Sequence, residues 1–433
     1  MRRRRAPAIQ LASTVAWLRI ARSAMSRFVA AFLRVYRQPD FVGVLAGNFA
    51  LGMAYSFVVP FMSLWGTHHV GMSPMVFGVF MTITSVSAIV LSMTLARWSD
   101  THITRRTMLL WGAVCGMLGY LGYAFVHNVV ALTCIGSVLL GIASCNMSQV
   151  FAHMRDELER PENAHADGPL LMSVLRVSFS LAWTFGPAVG AWTMVRYSYR
   201  GIFLGAASLF AVFLLTTIRF IPHRRHPPTA HAYARQPMAR VLTRPDILAN
   251  YTGFMLLFAA FSICIMDVPL RVTQQLGGTE REVGIIYSIA PFLEIPIMIW
   301  SGRLAARGHL MALLRLGVAA AVLYFAALFF AEAPWHIYPM QLLSAIAIGI
   351  TTNITITFFQ DMLPGQAGLA TSIYSNSFSG GSLVGYFVFG LAMQSLGLRG
   401  VFLLCTTFGL ITLAILCFYR QRGTADTALL PAT

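Results

Sequence analysis

VGIIYSIAPFLEIPIMIW, residues 283–300, is a nearly unbroken apolar stretch with one acid inside it, Glu294. A bilayer's hydrocarbon core takes about 20 such residues in a helix. An acid at the centre of a membrane helix costs roughly 2.5–3.5 kcal/mol. A carboxylate kept there at that cost faces a cavity, a partner or a proton path. The stretch reads as a membrane span with a chemical task, and the chain as a transporter.

The pattern repeats outward in both directions. Apolar runs recur near 41–64, 74–95, 107–126, 129–150, 171–194, 201–221, 247–270, 282–302, 309–331, 336–358, 367–393 and 399–419. Charged residues make up 11% of the chain and mean hydropathy is +0.69, whereas soluble domains carry about 25% charged residues. The expected fold is an all-α membrane protein of twelve transmembrane helices. The net charge of +16 does not point to nucleic acid, because its placement follows the spans. All 31 basic residues are Arg. With the N-terminus inside, most fall on cytoplasmic segments, and only Arg196, Arg200, Arg271, Arg281 and Arg399 fall outside. That bias predicts a multi-pass protein of the cytoplasmic (inner) membrane, embedded in the lipid bilayer with both termini cytoplasmic.

The segment at 222–245, PHRRHPPTAHAYARQPMARVLTRP, is basic and Pro-rich and reads as a cytoplasmic linker. It separates a six-helix half at 41–221 from a second at 246–420. Residues 1–40 form an extension, in which 15–36 has the makings of an amphipathic helix on an anionic leaflet. Residues 421–433 form a tail. Across the linker, Pro39-Asp40 recurs as Pro245-Asp246, Gly47 as Gly253 and Arg97 as Arg303, at one constant offset. Parallel six-span repeats are a known transporter plan. The six cysteines all fall in apolar spans without metal spacing, so neither a disulfide framework nor a metal site is expected. No phosphate loop or hydrolytic constellation appears. The reading is of a non-enzyme with no cofactor.

The turn after the second run reads Ala96-Arg97-Trp98-Ser99-Asp100-Thr101-His102-Ile103-Thr104-Arg105-Arg106. An acid followed by paired Arg at a short cytoplasmic turn resembles the loop motif of the major facilitator superfamily. That resemblance implies the major facilitator fold. It also implies a gate in which Asp100 meets a neighbouring helix N-terminus, with Arg105 and Arg106 beside it. In the fifth run, Arg176, Ser180, Trp183 and Pro187 share one helix face by spacing. Gly186-Pro187-Ala188-Val189-Gly190 resembles the superfamily's antiporter motif, with Ala191 following. Small residues permit close helix approach and Pro bends the helix, so Gly186 and Pro187 join the gating set.

Longer blocks narrow the resemblance. Arg176 with Ser180-Leu181-Ala182-Trp183, Asp267 with Pro269-Leu270, Leu293-Glu294-Ile295-Pro296, and Phe359-Gln360-Asp361-Met362-Leu363-Pro364-Gly365 with Asn376-Ser377 resemble the bacterial sugar efflux transporter family of that superfamily. Gln149 with Phe151-Ala152 and Arg155 fits as well. The resemblance implies export of a sugar or glycoside in exchange for protons. Two other readings stand beside it: export of a drug or metabolite, and a non-transporting membrane sensor. Amides and aromatic faces suit a sugar, which makes Gln149, Trp183, Asn353, Asn376 and Tyr55 the candidate substrate-binding residues. Glu294, Asp267 and Arg176 are the candidates for proton coupling. Asp267 sits about 5 Å from the outer end of its run by helical rise, so surface capping competes with coupling there. Arg176 and Glu294 lie about 8 Å and about 12 Å from the inner ends of theirs. Spans five and eight meet in the major facilitator fold, so these two form a candidate pair. A neighbouring guanidinium stabilises a buried carboxylate. Parting the pair then favours proton uptake, and re-pairing favours release.

Overall fold

A computed structural model describes residues 39–101, 103–158, 168–222 and 241–419. The extension, including the candidate amphipathic stretch at 15–36, most of the linker and the C-terminal tail lie outside the described residues. Among the described residues, nine apolar helical stretches are long enough to cross a membrane. Three of them contain a single reversal. Gly168–Phe220 turns at Ser198, and Ala367–Phe418 turns at Gly397. Glu280–Leu304 passes through a wide turn containing Gly308 into Leu310–Phe330. All three residues have positive φ, at 58°, 65° and 88°. Glycine adopts that backbone freely, whereas a serine there is strained. Counting across these reversals gives the twelve spans, numbered 1 to 12 in chain order.

Local chemistry marks where the spans begin. Pro39 and Pro245 open spans 1 and 7 (Pro39–Val58, continuing to His69, and Pro245–Gln274), where a missing N–H costs nothing. Thr104 caps span 3 (Arg105–Phe125) through Thr107 N, and Asn128 caps span 4 (Val129–Leu158) through Ala131 N. Thr279 and Glu282 form a reciprocal capping box at the start of span 8.

Each half folds on the same scheme. Span 1 lies on spans 5 and 6, and span 7 on spans 11 and 12. The repeat glycines Gly47 and Gly253 sit at these contacts. A Cβ on Gly47 would fall 2.8 Å from Thr216 Oγ1, and Gly253 accepts a 2.7 Å hydrogen bond on its carbonyl from Thr412. Arg106 at the start of span 3 donates to Ile218 O at the end of span 6 (2.9 Å). Arg315 near the start of span 9 (Leu310–Phe330) donates to Leu416 O at the end of span 12 (3.0 Å). In both halves an arginine satisfies terminal carbonyls that a helix leaves open.

The halves meet through two close backbone approaches. A Cβ on Gly284 of span 8 would lie 2.4 Å from Ala191 Cβ and 2.7 Å from Pro187 O of span 5. One on Gly78 of span 2 (Pro74–Thr101) would lie 2.8 Å from Gly390 Cα of span 11. His68 and Gln274 add a side-chain contact of 2.6 Å between spans 1 and 7. All three lie toward the end that carries His69, Ser198, Gln274 and Glu280. The opposite, Arg-rich end has no such close glycine approach between the halves among the described residues.

Candidate transport site and gate

Span 5 is the wall of the first half that faces the second. Pro187 and Ala191 touch Gly284 directly, while Gly186 and Gly190 turn toward span 1. A Cβ on Gly186 would run into Ser56 Oγ at 1.8 Å, and one on Gly190 would lie 2.7 Å from Phe57 O. The Gly-Pro segment thus places span 5 tightly between spans 1 and 8. Trp183 lies one turn from Pro187 on the same face. Its indole N–H is hidden and has no hydrogen-bond partner among the described residues. Arg176 follows two turns further toward the Arg-rich end, and it is exposed.

The structure does not pair Arg176 with Glu294. Arg176 has the hydroxyl of Tyr374, on span 11, within its electrostatic reach. That hydroxyl donates to Thr352 O of span 10 (Pro334–Met362) at 3.2 Å. Glu294 is half-buried on span 8, where its backbone packs near Gly349 of span 10. Among the described residues it has neither a hydrogen bond nor an ion pair. The two groups occupy neighbouring spans of opposite halves, as the sequence placed them, but they stand apart in this conformation.

Asp267 differs from the position its sequence suggests. Span 7 runs on to Gln274, so the carboxyl lies about 10 Å from the helix end rather than close to it. It is fully buried, and neither carboxylate oxygen has a hydrogen-bond partner among the described residues. The surface-capping alternative does not describe this residue.

Three of the candidate substrate contacts already use polar groups within the protein. Gln149 is buried and accepts from Arg105 Nη1 at 3.2 Å, and Arg105 also forms an ion pair with Asp156. Tyr55 donates to Ala143 O at 3.1 Å. Span 4 is irregular here: a wide turn at Gly136–Leu140 precedes a break at Ser144, and Tyr55 binds a carbonyl beside that break. Asn353 donates to Met298 O at 3.2 Å and ties span 10 to span 8. Asn376 is half-buried on span 11 and has a hydrogen-bonding or electrostatic partner of its own. The side chain of Asp100 lies outside the described residues. Arg105 and Arg106 brace spans within the first half, to Asp156, Gln149 and Ile218.

The sequence pattern of the Major Facilitator Superfamily matches residues 44–369. Sugar efflux transporter B of Salmonella typhimurium is 30% identical over 82% of this chain and 89% of its own length. Sugar efflux transporter A of Dickeya chrysanthemi is 29% identical over 89% of this chain and 97% of its own. The crystal structure of the nucleoside transporter NupG superposes with a TM-score of 0.74, covering 88% of this chain and all of that one at 13% identity. The chain belongs to the sugar efflux transporter family of the Major Facilitator Superfamily.

This family member is a multi-pass membrane transporter, not an enzyme, and its twelve spans in two halves have the superfamily fold. Several of its working contacts escaped sequence reasoning. Arg271 reads as a topology charge, yet it is buried and caps a distant helix. Gly284 and Gly78 read as two glycines among 35, yet they form the seam between the halves. One usable signal was present for Tyr287. Pro269 removes a helical N–H, so the carbonyl four residues earlier needs another donor, and Tyr287 supplies it.

Proposed function

We propose that this chain exports sugars or glycosides by proton antiport with alternating access. The halves rock about a central cleft that opens in turn to each face. With both termini cytoplasmic, as the arginine bias suggests, the glycine seam closes the outer face and this conformation is open to the cytoplasm. The observation that carries the reading is the face of span 5. Arg176, Trp183 and Pro187 look from the first half toward the second, and an unpaired acid, Glu294, stands on the partner span. A flat aromatic covers the apolar face of a sugar, and the half-buried Asn353 and Asn376 lie on the facing half. Glu294 is the first candidate for the coupled proton, with Asp267 and Arg176 in support. Proton release is favoured when a guanidinium approaches the acid, and uptake when it withdraws.

Counterflow in proteoliposomes tests this with a panel of labelled sugars, with and without a pH gradient. Saturable sugar exchange that becomes concentrative under a gradient, acid outside, supports the reading. Binding without flux supports a sensor. Flux of drugs but of no sugar supports the other exporter class.

A further inference from the structure

Pro269 lies inside span 7 and has no N–H to offer Ile265 O. The Tyr287 hydroxyl of span 8 reaches that carbonyl at 3.1 Å and the neighbouring Cys264 O at 3.3 Å. Asp267 lies two residues before Pro269, fully buried and without a hydrogen-bond donor among the described residues. One turn further on, Arg271 is within electrostatic reach of Asp267, yet both terminal nitrogens of its guanidinium are engaged elsewhere, and only the buried Nε has no hydrogen-bond partner among the described residues. Nη1 donates to Leu328 O at 2.6 Å, and Nη2 donates to Ala331 O at 2.8 Å and Phe329 O at 3.1 Å. These carbonyls close span 9, where a helix leaves its last acceptors open. The cation also lies 5.1 Å from the centre of the Phe402 ring of span 12.

The surroundings leave Arg271 as the partner available to Asp267. Span 8 presents Tyr287, span 9 presents Tyr324, and span 12 presents Cys405 beside Cys264. None of these is a cation. Arg399, in the turn before span 12, is within electrostatic reach of Arg271, but it is held on Phe329 O at 3.0 Å and over the Phe329 ring. Span 11 meets span 7 through Gly381, Gly385 and Ser382, and span 1 meets it through residues 59–64, VPFMSL, which contain no titratable side chain.

We propose that Arg271 is a positioning residue with two alternative seats. While Asp267 holds a proton, Arg271 caps span 9. When that proton leaves to water, the new carboxylate has no donor, and Arg271 turns back one helical turn to pair with it. The carbonyls of Leu328, Phe329 and Ala331 then lose their cap and the outer end of span 9 loosens. Gln274, three residues beyond Arg271, carries the motion to His68 of the other half. Proton binding at Asp267 therefore favours a closed outer seam, and proton loss favours its opening. This is the order that exchange of an outgoing solute for an incoming proton requires. The inference rests on the proton-coupled reading above and adds a switch separate from Glu294.

A spin label at Glu332→Cys, next to Ala331, reports the end of span 9 in the full reconstituted chain. The mobile fraction is expected to rise sigmoidally from acidic to alkaline pH. Asp267→Asn, a nearly isosteric change, should hold the label in the immobile state at every pH. Asp267→Glu should restore the titration, and Arg271→Gln should leave the label mobile throughout. A flat wild-type profile overturns the proposal, and so does an Asp267→Asn profile that still titrates. Sugar counterflow on the same preparations separates the two readings. Transport with a label that does not titrate removes the switch alone. A titrating label without sugar flux keeps the switch and removes the substrate assignment.

Discussion

The two halves solve one mechanical problem with opposite chemistry. Each must fasten the C-terminal end of its first span, 1 or 7, to the end of its third, 3 or 9. The offset that relates Pro39 to Pro245 sets Phe61 opposite Asp267 and Trp65 opposite Arg271. In the first half Trp65 is buried and stacks on Tyr123, near the end of span 3, with centroids 5.0 Å apart; Phe203 packs edge-on at 5.0 Å. In the second half Arg271 binds the terminal carbonyls of span 9 beside an unpaired acid. Aromatic packing is indifferent to protons. A cation that chooses between carbonyls and a carboxyl is not. Asp267 and Glu294, acids set deep within their spans, also both lie in the second half. The comparison teaches that a duplicated scaffold can keep one half as a fixed post and make the other responsive.

Glu294 is where the second half should prove most responsive. Glu294→Gln should lower pH-driven export by tenfold or more, about 1.4 kcal/mol or beyond in the coupled step. Sugar exchange at equal pH should survive. Normal export by this variant under a gradient would make Glu294 structural and move the coupling role to Asp267.

Trp65→Ala probes the fixed post. Truncating a buried aromatic of this size costs about 3–5 kcal/mol, so the melting temperature of the purified protein should fall sharply. The pH profile of any transport that remains should keep its wild-type midpoint. A shifted midpoint would show that the first half also responds to protons.

Gly284→Ala addresses the seam between the halves. The new methyl meets Ala191 Cβ and Pro187 O, and overpacking of this kind costs about 1–3 kcal/mol. Spans 5 and 8 should part at the closed end. Cysteine reporters near Ser198 and Gln275 should then react faster with an impermeant reagent. Unchanged reactivity would mean that the seam absorbs the methyl without opening.

The smallest effect separates the two reversals. Ser198 sits at φ 58°, ψ −168°, and Gly397 at φ 65°, ψ 173°. Only the serine is strained, so Ser198→Gly should raise stability by about 1 kcal/mol. Gly397→Ser should lower it by a similar amount. Matching responses at both sites would remove this asymmetry between the halves.

Much of this molecule is local in origin and legible in the chain itself. Hydropathy alone marks twelve spans, because a lipid environment must be met residue by residue. The linker, the halves and the weak repeat follow from composition and offset. An acid such as Glu294 announces itself because its surroundings in sequence are also its surroundings in the bilayer. The shared face of Arg176, Trp183 and Pro187 follows from helical periodicity. Tertiary structure decided the partners. Gln149 and Tyr55 look like free polar groups in sequence, and only the neighbouring helices show them bound to Arg105 and to Ala143 O. Arg271 is one arginine among 31 until span 9 ends beside it. Gly284 becomes a seam only where Pro187 and Ala191 arrive from the other half. Span identity depends on a window of neighbouring residues. A hydrogen-bond partner depends on which helix ends converge, and residues far apart in the chain settle that jointly.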